Sequence, residues 1–321
     1  MRARRKVKRM IIEQSEQIIH EISKAFMGKD DVVRKVLMTI YAGGHILLED
    51  CPGVGKTTLA LAFSKALGLD YKRIQFTPDT LPSDITGFTM FDRRGNTFAY
   101  HEGAVNCQML LADEINRTSP KTQSALLEAM EEHCVTVDGE THELPSPFIC
   151  IATQNPVGAA GTQPLPDSQL DRFMVCLSIG YPSRESQMQI IHAQRYSNPL
   201  DSIQTVSNAQ NVLETQQFLS SVRIDDTVLG YLIDLCEETR RMPLVELGVS
   251  PRGVSALVRM ARAKAVLSER DFVIPEDVQY VFADVCAHRM TLRPQARVEG
   301  VTAHDLLRQA LQQIKPPAIQ R

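Results

Sequence analysis

Two periodicities of apolar and polar residues divide the chain. Up to about residue 180, short apolar runs of strand length (45–49, 108–113 and 148–154) alternate with segments whose apolar residues have helical spacing. Beyond that point helical spacing dominates. Strands that alternate with helices are typical of a parallel sheet covered by helices. We therefore predict an α/β domain over 1–183 and a helical domain over 184–321.

The first 20 residues predict an amphipathic helix with a basic tip. Six of the first ten residues are Lys or Arg, and Glu13, Glu16 and Glu21 interrupt the apolar positions that follow. A signal peptide needs an uninterrupted apolar stretch there, so we expect no secretion and no membrane insertion. The alternatives for this tip are contact with acidic lipid or nucleic acid and a solvated, frayed terminus, of which the second is the simpler expectation.

The composition is that of an ordinary globular protein. The chain has 321 residues, of which 43% are hydrophobic and 23% charged, and its formal net charge is -3. This slightly acidic charge does not favour a general nucleic-acid binder. The seven cysteines form no CxxC pair, which favours reduced thiols and a cytoplasmic location. The eight histidines lack the spacing of a structural zinc site.

A glycine-rich turn between a strand and a helix is the first candidate site. The segment "LEDCPGVGKTTLAL" (48–61) matches the end of the P-loop pattern G-x-x-x-x-G-K-[ST], but Asp50 stands where the pattern begins with glycine. Backbone N–H groups at a helix N-terminus hold the phosphates, so Asp50 need not prevent binding. Aspartate also tolerates turn conformations and can bond to its own backbone. The predicted nucleotide-binding residues are Pro52, Gly53, Val54, Gly55, Lys56, Thr57 and Thr58.

Two acids end the next hydrophobic strand, "QMLLADEINR" (108–117). In a P-loop enzyme Asp113 would bind the water shell of Mg²⁺, and Thr57 would coordinate the ion directly. Glu114 would be the general base that polarises the attacking water. Simple GTPase switches lack this second acid, and the chain also lacks their N-K-x-D signature. Hydrolysis is therefore favoured over a nucleotide-dependent switch.

Two further polar residues are candidates: Asn155 at the end of a later strand, and Arg172 at the end of a short helix before the strand of "FMVCLSIG". Asn155 ends the strand of "FICIATQNP", where an amide can orient the lytic water or sense the γ-phosphate; an Asn-Pro turn is the plainer interpretation. Arg172, in "LPDSQLDRF", is a candidate arginine finger that reaches across a subunit boundary. The alternative for Arg172 is a surface ion pair with Asp167 or Asp171.

The order of these segments resembles that of AAA+ ATPases, and their amino-acid sequences resemble those of the MoxR family. The segments concerned are "QFTPDTLPSDITG", "LLADEINRTSPKTQSALLEAMEEHCVTVDG", "IATQNP" and "LPDSQLDRF". In that family the stretch before the P-loop reads L-E-D-x-P-G-V-G-K-T, so Asp50 is similar to the residue that the family uses. The resemblance implies an αβα core with a parallel five-stranded sheet, an all-α lid, and ATP/ADP with Mg²⁺ as cofactors.

The same resemblance assigns roles outside the core strands. Arg252, in "GVSPRGVSALV", resembles a sensor 2 arginine near the γ-phosphate, acting on its own subunit or on a neighbour's nucleotide. The segments 87–105, around Arg94-Gly95-Asn96, and 134–144 resemble two hairpins, the first facing the pore of a ring.

The implied function is a Mg·ATP-hydrolysing, chaperone-like motor that remodels or activates partner proteins. The resemblance implies a ring homo-oligomer, a hexamer in the simplest case, and a von Willebrand factor A domain protein as partner. One alternative is a nucleic-acid motor or loader, for which the basic tip is the best support. Another is a metal-chelatase motor subunit, to which no segment points.

Overall fold

The structure is a computed structural model that describes residues 2–93, 95–155, 163–194 and 198–318. Arg94 of the first predicted hairpin and Pro156 of the predicted turn lie outside these ranges. The strands are β1 (Ile46–Glu49), β2 (Tyr71–Gln75), β3 (Gly87–Asp92), β4 (Thr97–Glu102), β5 (Met109–Asp113), β6 (Cys134–Val137), β7 (Glu140–Glu143), β8 (Ile149–Gln154), β9 (Val175–Leu177), β10 (Val245–Leu247) and β11 (Thr291–Leu292). The α-helices are α1 (Arg2–Ala25), α2 (Asp30–Tyr41), α3 (Lys56–Leu67), α4 (Pro82–Thr86), α5 (Pro120–Glu132), α6 (Asp167–Leu170), α7 (Arg184–Gln194), α8 (Ala209–Ser220), α9 (Asp226–Arg241), α10 (Pro251–Leu267), α11 (Pro275–Cys286), α12 (Pro294–Val298) and α13 (Ala303–Gln313).

Five strands form a parallel sheet in the order β2-β5-β8-β1-β9, which confirms the predicted core. Successive residues of each strand point to opposite faces of the sheet, and both faces are buried. Leu48 and Leu111 pack on the side of α1 and α3, whereas their neighbours Leu47 and Leu110 pack on the side of α5. Apolar residues on both faces explain why these strands appear in the sequence as continuous apolar runs.

The order of the strands determines which residues meet at the carboxyl edge of the sheet. β8 lies between β1 and β5, and Glu49 is in register with Gln154. On the other side, β2 pairs with β5, with Gln75 beside Asp113. The P-loop after β1 and the acidic pair at the end of β5 therefore flank the end of β8, where Asn155 lies.

The later part of the chain is mainly helical, as predicted, but it also contains an antiparallel ribbon. β10 pairs with β11 through Val245 and Leu292, across a register shift. These strands are three and two residues long, too short to produce a recognisable alternation in the sequence.

Helix α1 joins the two parts of the chain, and its basic tip is not simply solvated. The side chain of Arg4 donates to the carbonyl oxygen of Ser221 at 2.6 Å, and Nζ of Lys8 donates to that of Glu269 at 3.0 Å. These carbonyls follow the ends of α8 and α10, where helix dipoles concentrate negative charge. The expectation of a frayed tip is wrong for these two side chains. The division at residue 183 stays a prediction, because α1 contacts both parts.

Both predicted hairpins are present, as β3–β4 and β6–β7. Asp138 and Gly139 both have positive φ, 51° and 86°, as the tight turn of the second hairpin requires. The hairpins touch through Tyr100 and His142, whose rings stack with centroids 3.8 Å apart. The first hairpin exposes aromatic side chains, among them Phe98 at 75% exposure.

Candidate functional site

The P-loop is a closed turn at the start of α3. Gly53 and Gly55 have φ of 85° and 96°, a conformation that favours glycine. A Cβ atom at Gly55 would also lie 3.2 Å from the ring of Phe26 at the end of the first helical segment. Nζ of Lys56 is buried and donates to the carbonyl oxygen of Asp50 at 2.7 Å. The turn therefore leaves its backbone N–H groups at the amino end of a twelve-residue helix, where anions are favoured.

Asp50 has a role that the pattern did not reveal. Its carboxylate accepts hydrogen bonds from the hydroxyl of Ser178 at 3.0 Å and from the backbone N–H groups of Ile179 and Gly180, the latter at 3.1 Å. The expectation that Asp50 bonds to its own backbone is therefore wrong. The side chain instead ties the P-loop to the segment that leaves β9, about 130 residues further along the chain.

A pocket of about 330 Å³ opens beside the P-loop. Of the predicted nucleotide residues, Gly53, Val54, Gly55 and Thr58 line it, whereas Pro52, Lys56 and Thr57 do not. The other lining residues were missed because they come from segments distant in sequence; most are apolar, among them Phe26, Met27, Ile179, Pro182, Ile190 and Ile191, and Lys29, Gln187 and Asn198 are polar. A mostly apolar pocket beside the P-loop is compatible with the predicted binding of a nucleotide.

Asp113 is buried at the end of β5, and both of its carboxylate oxygens have partners. Oδ2 accepts from Arg73 at 2.7 Å, and Oδ1 accepts from the hydroxyl of Thr153 at 2.7 Å. Each carboxylate oxygen has a second lone pair, so Asp113 can still accept from a Mg²⁺-bound water. Within the described residues no group of three or more His, Cys, Asp or Glu could hold a metal. The remaining acceptor capacity of Asp113 fits a Mg²⁺ ion bound through water, with Thr57 as the predicted direct ligand.

Glu114 adopts a left-handed conformation, with φ of 59°. Its N–H donates to the Thr153 hydroxyl at 2.8 Å, so Thr153 fixes both members of the acidic pair. The Glu114 carboxylate accepts from Nδ2 of Asn155 at 3.2 Å and pairs with Arg117 at 3.0 Å. Burial raises the pKa of Glu114, but the bonds from Asn155 and Arg117 outweigh it and hold the pKa below its ordinary value. Glu114 is therefore ionised at neutral pH, as a general base must be.

Arg172 and Arg252 lie together, away from the P-loop. Nε of Arg172 is 3.3 Å from Oε2 of Glu131, and the guanidinium of Arg252 contacts Oε1 of the same carboxylate. The predicted alternative, an ion pair of Arg172 with Asp167 or Asp171, is wrong. The two arginines line a second pocket, of about 200 Å³, that shares no lining residue with the pocket at the P-loop.

Comparison with known proteins agrees with this arrangement. Residues 45–175 match the ATPase family associated with various cellular activities (AAA), and residues 237–310 match the AAA lid domain. Chaperone MoxR1 of Mycobacterium tuberculosis is 34% identical, over 95% of this chain and 82% of its own. The chain belongs to the MoxR family of AAA+ ATPases.

Other relatives are similar to this MoxR-family chain over nearly its whole length. An uncharacterised protein of Bacillus subtilis, YeaC, is 46% identical over 93% of both chains. Protein MoxR of Methylorubrum extorquens is 30% identical over 92% of this chain and 93% of its own. A crystal structure of a Cytophaga hutchinsonii protein described as an ATPase superposes with a TM-score of 0.90 and 33% identity, and covers 98% of each chain.

In this MoxR-family chain, Asp171 joins the segment of Arg172 to the lid. Its carboxylate accepts from the hydroxyl of Ser250 at 2.9 and 3.0 Å, and from Nε of Arg289 at 2.8 Å. The Ser250 oxygen also accepts from the N–H of Gly253 at 3.0 Å and so caps helix α10, whose second residue is Arg252. The two arginines are thus held side by side by Asp171. Sequence reasoning missed this link, since its members lie 79 and 118 residues from Asp171.

Proposed function

We propose that the protein is a Mg·ATP-hydrolysing motor that assembles into a ring and acts, chaperone-like, on partner proteins. The observation that carries the proposal is the separation of the two pockets. The P-loop, Asn155 and Glu114 follow the carboxyl ends of the neighbouring strands β1, β8 and β5, whereas Arg172 and Arg252 line a pocket that shares no residue with the pocket beside the P-loop. An active site that needs both sets is completed when the arginines of one subunit meet the nucleotide of the next.

Each group has a chemical task in this scheme. The P-loop N–H groups and Lys56 hold the phosphates, with the purine in the apolar pocket. Thr57, and Asp113 through water, would hold Mg²⁺, which would supply positive charge next to the phosphates. Glu114, ionised through Asn155 and Arg117, accepts a proton from the attacking water, and Asn155 orients that water. Arg172, and with it Arg252, neutralises the charge that develops on the neighbouring subunit's γ-phosphate. In this scheme Arg252 acts on a neighbour's nucleotide, which is one of the two alternatives that the sequence left open.

Action on proteins is supported by the first hairpin and by the name of the Mycobacterium tuberculosis relative, Chaperone MoxR1. Phe88, Met90 and Phe98 are 49%, 52% and 75% exposed, and such apolar groups suit contact with a polypeptide. A von Willebrand factor A domain partner and a hexameric ring remain predictions from family resemblance. A cytoplasmic location also remains a prediction; the seven cysteines, all unpaired, are compatible with it.

Nucleic-acid binding has less support. Arg4 and Lys8, two of the six basic residues on which that alternative rests, contact lid carbonyls. Nothing in the described residues points to a chelatase. None of the described helices combines the length and apolarity needed to cross a bilayer.

The test is the rate of Mg·ATP hydrolysis per subunit as a function of protein concentration. We expect the rate to rise with concentration and Glu114→Gln to lower it at least about 100-fold with ATP binding retained. Arg172→Ala should lower it by a comparable factor. Arg184→Ala, a change at an exposed arginine with no ion pair in the described structure, is the matched control. A rate that is independent of concentration and insensitive to Arg172→Ala would contradict a shared active site.

A further inference from the structure

One carboxylate is the anionic partner of both Arg172 and Arg252 in the pocket that these arginines line. Glu131, near the end of α5, gives Oε2 to Arg172 and Oε1 to Arg252. The other nearby acid, Asp171, is already engaged by Ser250 and the buried Arg289. A single negative charge therefore faces two positive charges, and the group of three carries a net positive charge.

The arginines also keep unused hydrogen-bonding capacity. Nε of Arg172 is buried and, among the described residues, has no hydrogen-bond partner, since its contact with Glu131 has the distance of an ion pair without the alignment of a hydrogen bond. The side chains of Glu131, Arg172 and Arg252 are 33%, 30% and 45% exposed, so the group is open to an incoming ligand. A terminal phosphate carries more charge and more acceptor oxygens than one carboxylate, and guanidinium groups bind it well.

We propose that Glu131 is a competing counter-ion, which holds Arg172 and Arg252 in the free subunit and releases them to the terminal phosphate of a neighbour's nucleotide. This inference rests on the proposed function, because it assumes that the two arginines serve an adjacent active site. Glu131 is then a positioning residue that keeps both arginines bound and unavailable until a nucleotide-loaded neighbour arrives. Assembly with ATP must break its two ion pairs, so Glu131 opposes assembly.

Assembly can be measured without turnover by using Glu114→Gln as the parent protein in Mg·ATP. Sedimentation velocity over a concentration series gives the protein concentration at half-assembly. Adding Glu131→Gln removes the charge and keeps the shape, and should lower that midpoint by about two- to thirtyfold, the range for two partly exposed ion pairs. Glu132→Gln is the matched control, because Glu132 is the next residue on α5, is exposed, and has no partner in the described structure; its midpoint should equal the parent's.

A second comparison distinguishes a counter-ion of the two arginines from a residue with a purely structural role. In a parent that also carries Arg172→Ala and Arg252→Ala, Glu131→Gln has no ion pairs to remove and should leave the midpoint unchanged. Glu131→Asp keeps the charge but is too short to bridge both arginines, so its midpoint should fall between those of the parent and Glu131→Gln. The Asp variant also serves if Glu131→Gln does not fold.

The inference is overturned if Glu131→Gln matches Glu132→Gln or raises the midpoint, or if its effect persists without the two arginines. Failure of the proposed function gives a different result. In that case the Glu114→Gln parent would not assemble in Mg·ATP at any concentration, and the wild-type rate would not depend on concentration. That result would contradict both the proposed function and the role of Glu131.

Discussion

Asp171 accepts a hydrogen bond from Nε of Arg289 at 2.8 Å, across the contact between the sheet domain and the lid. The Arg289 side chain is only 2% exposed and also donates to the carbonyl oxygens of Phe173 and Met174. A buried arginine needs a charged partner, because an uncompensated charge away from water is costly. Asp171 is that partner, and it lies next to Arg172.

Replacing Asp171 with asparagine should therefore destabilise the protein and displace the lid. We expect Asp171→Asn to lower the free energy of unfolding by about 2–4 kcal/mol, because Arg289 loses its counter-charge. Urea unfolding measures this. Asp167→Asn is the control, since Asp167 is exposed and its carboxylate contacts only the Thr291 hydroxyl in the described structure; it should cost less than about 0.5 kcal/mol. Equal losses in the two variants would contradict the role of Asp171.

Asp50→Gly would restore the general P-loop pattern, but we expect it to harm the protein. The change removes the acceptor of the N–H groups of Ile179 and Gly180. Each unsatisfied, partly buried group costs about 1–3 kcal/mol, so the free energy of unfolding should fall by at least about 2 kcal/mol and ATP binding should weaken. Equilibrium unfolding and nucleotide titration test this, with Asp79→Gly at an exposed loop position as the control. A more stable or tighter-binding Asp50→Gly variant would refute this role.

The pH dependence of hydrolysis should report on the surroundings of Glu114. Its pKa is held below the ordinary value by Asn155 and Arg117 against the opposing effect of burial. The base is active when deprotonated, so the wild-type rate should stay high as the pH falls toward the ordinary glutamate range. Arg117→Gln removes one lowering contribution, raises the pKa of Glu114 and moves the acidic limb of kcat to higher pH. Arg223→Gln, an exposed change in the lid, should leave the profile unshifted.

Buried histidines should make the fold sensitive to mild acid. Burial lowers the pKa of His45 to about 4 and that of His288 to about 3, from 6.5 in the unfolded chain. Below pH 6.5 the unfolded state binds protons that the folded state does not, so stability falls as the pH falls toward the folded pKa. The two groups together account for up to about 2.7 kcal/mol per pH unit.

Urea unfolding at several pH values between about 7 and 5 measures this slope. His45→Gln should reduce it by up to about 1.4 kcal/mol per pH unit, since one proton is no longer taken up on unfolding. His20→Gln removes an exposed histidine and should leave the slope unchanged. Identical slopes in wild type and His45→Gln would contradict the lowered pKa of His45.

The sheet and the separate motifs were predictable because their signals are local. The apolar runs of β1, β5 and β8 and the glycines around Lys56 each lie within a short stretch of sequence. The meeting of Glu131, Arg172 and Arg252 could not be derived in this way, since α5, the segment after α6, and α10 converge only in three dimensions. The partners of Asp50 were missed for the same reason. Charge pairs between distant segments depend on packing, which periodicity does not encode.

Helix α1 limits how the lid can move. Its 24 residues form a rod about 36 Å long, with Arg4 and Lys8 on lid carbonyls near one end and Phe26, beside Gly55, just past the other. A free hinge at the segment after β9 would pull this rod away from one of its two attachments. The lid must therefore either slide along α1 or move together with α1. In the second case, a rotation of the lid would shift Phe26 and so change the shape of the nucleotide pocket beside Gly55.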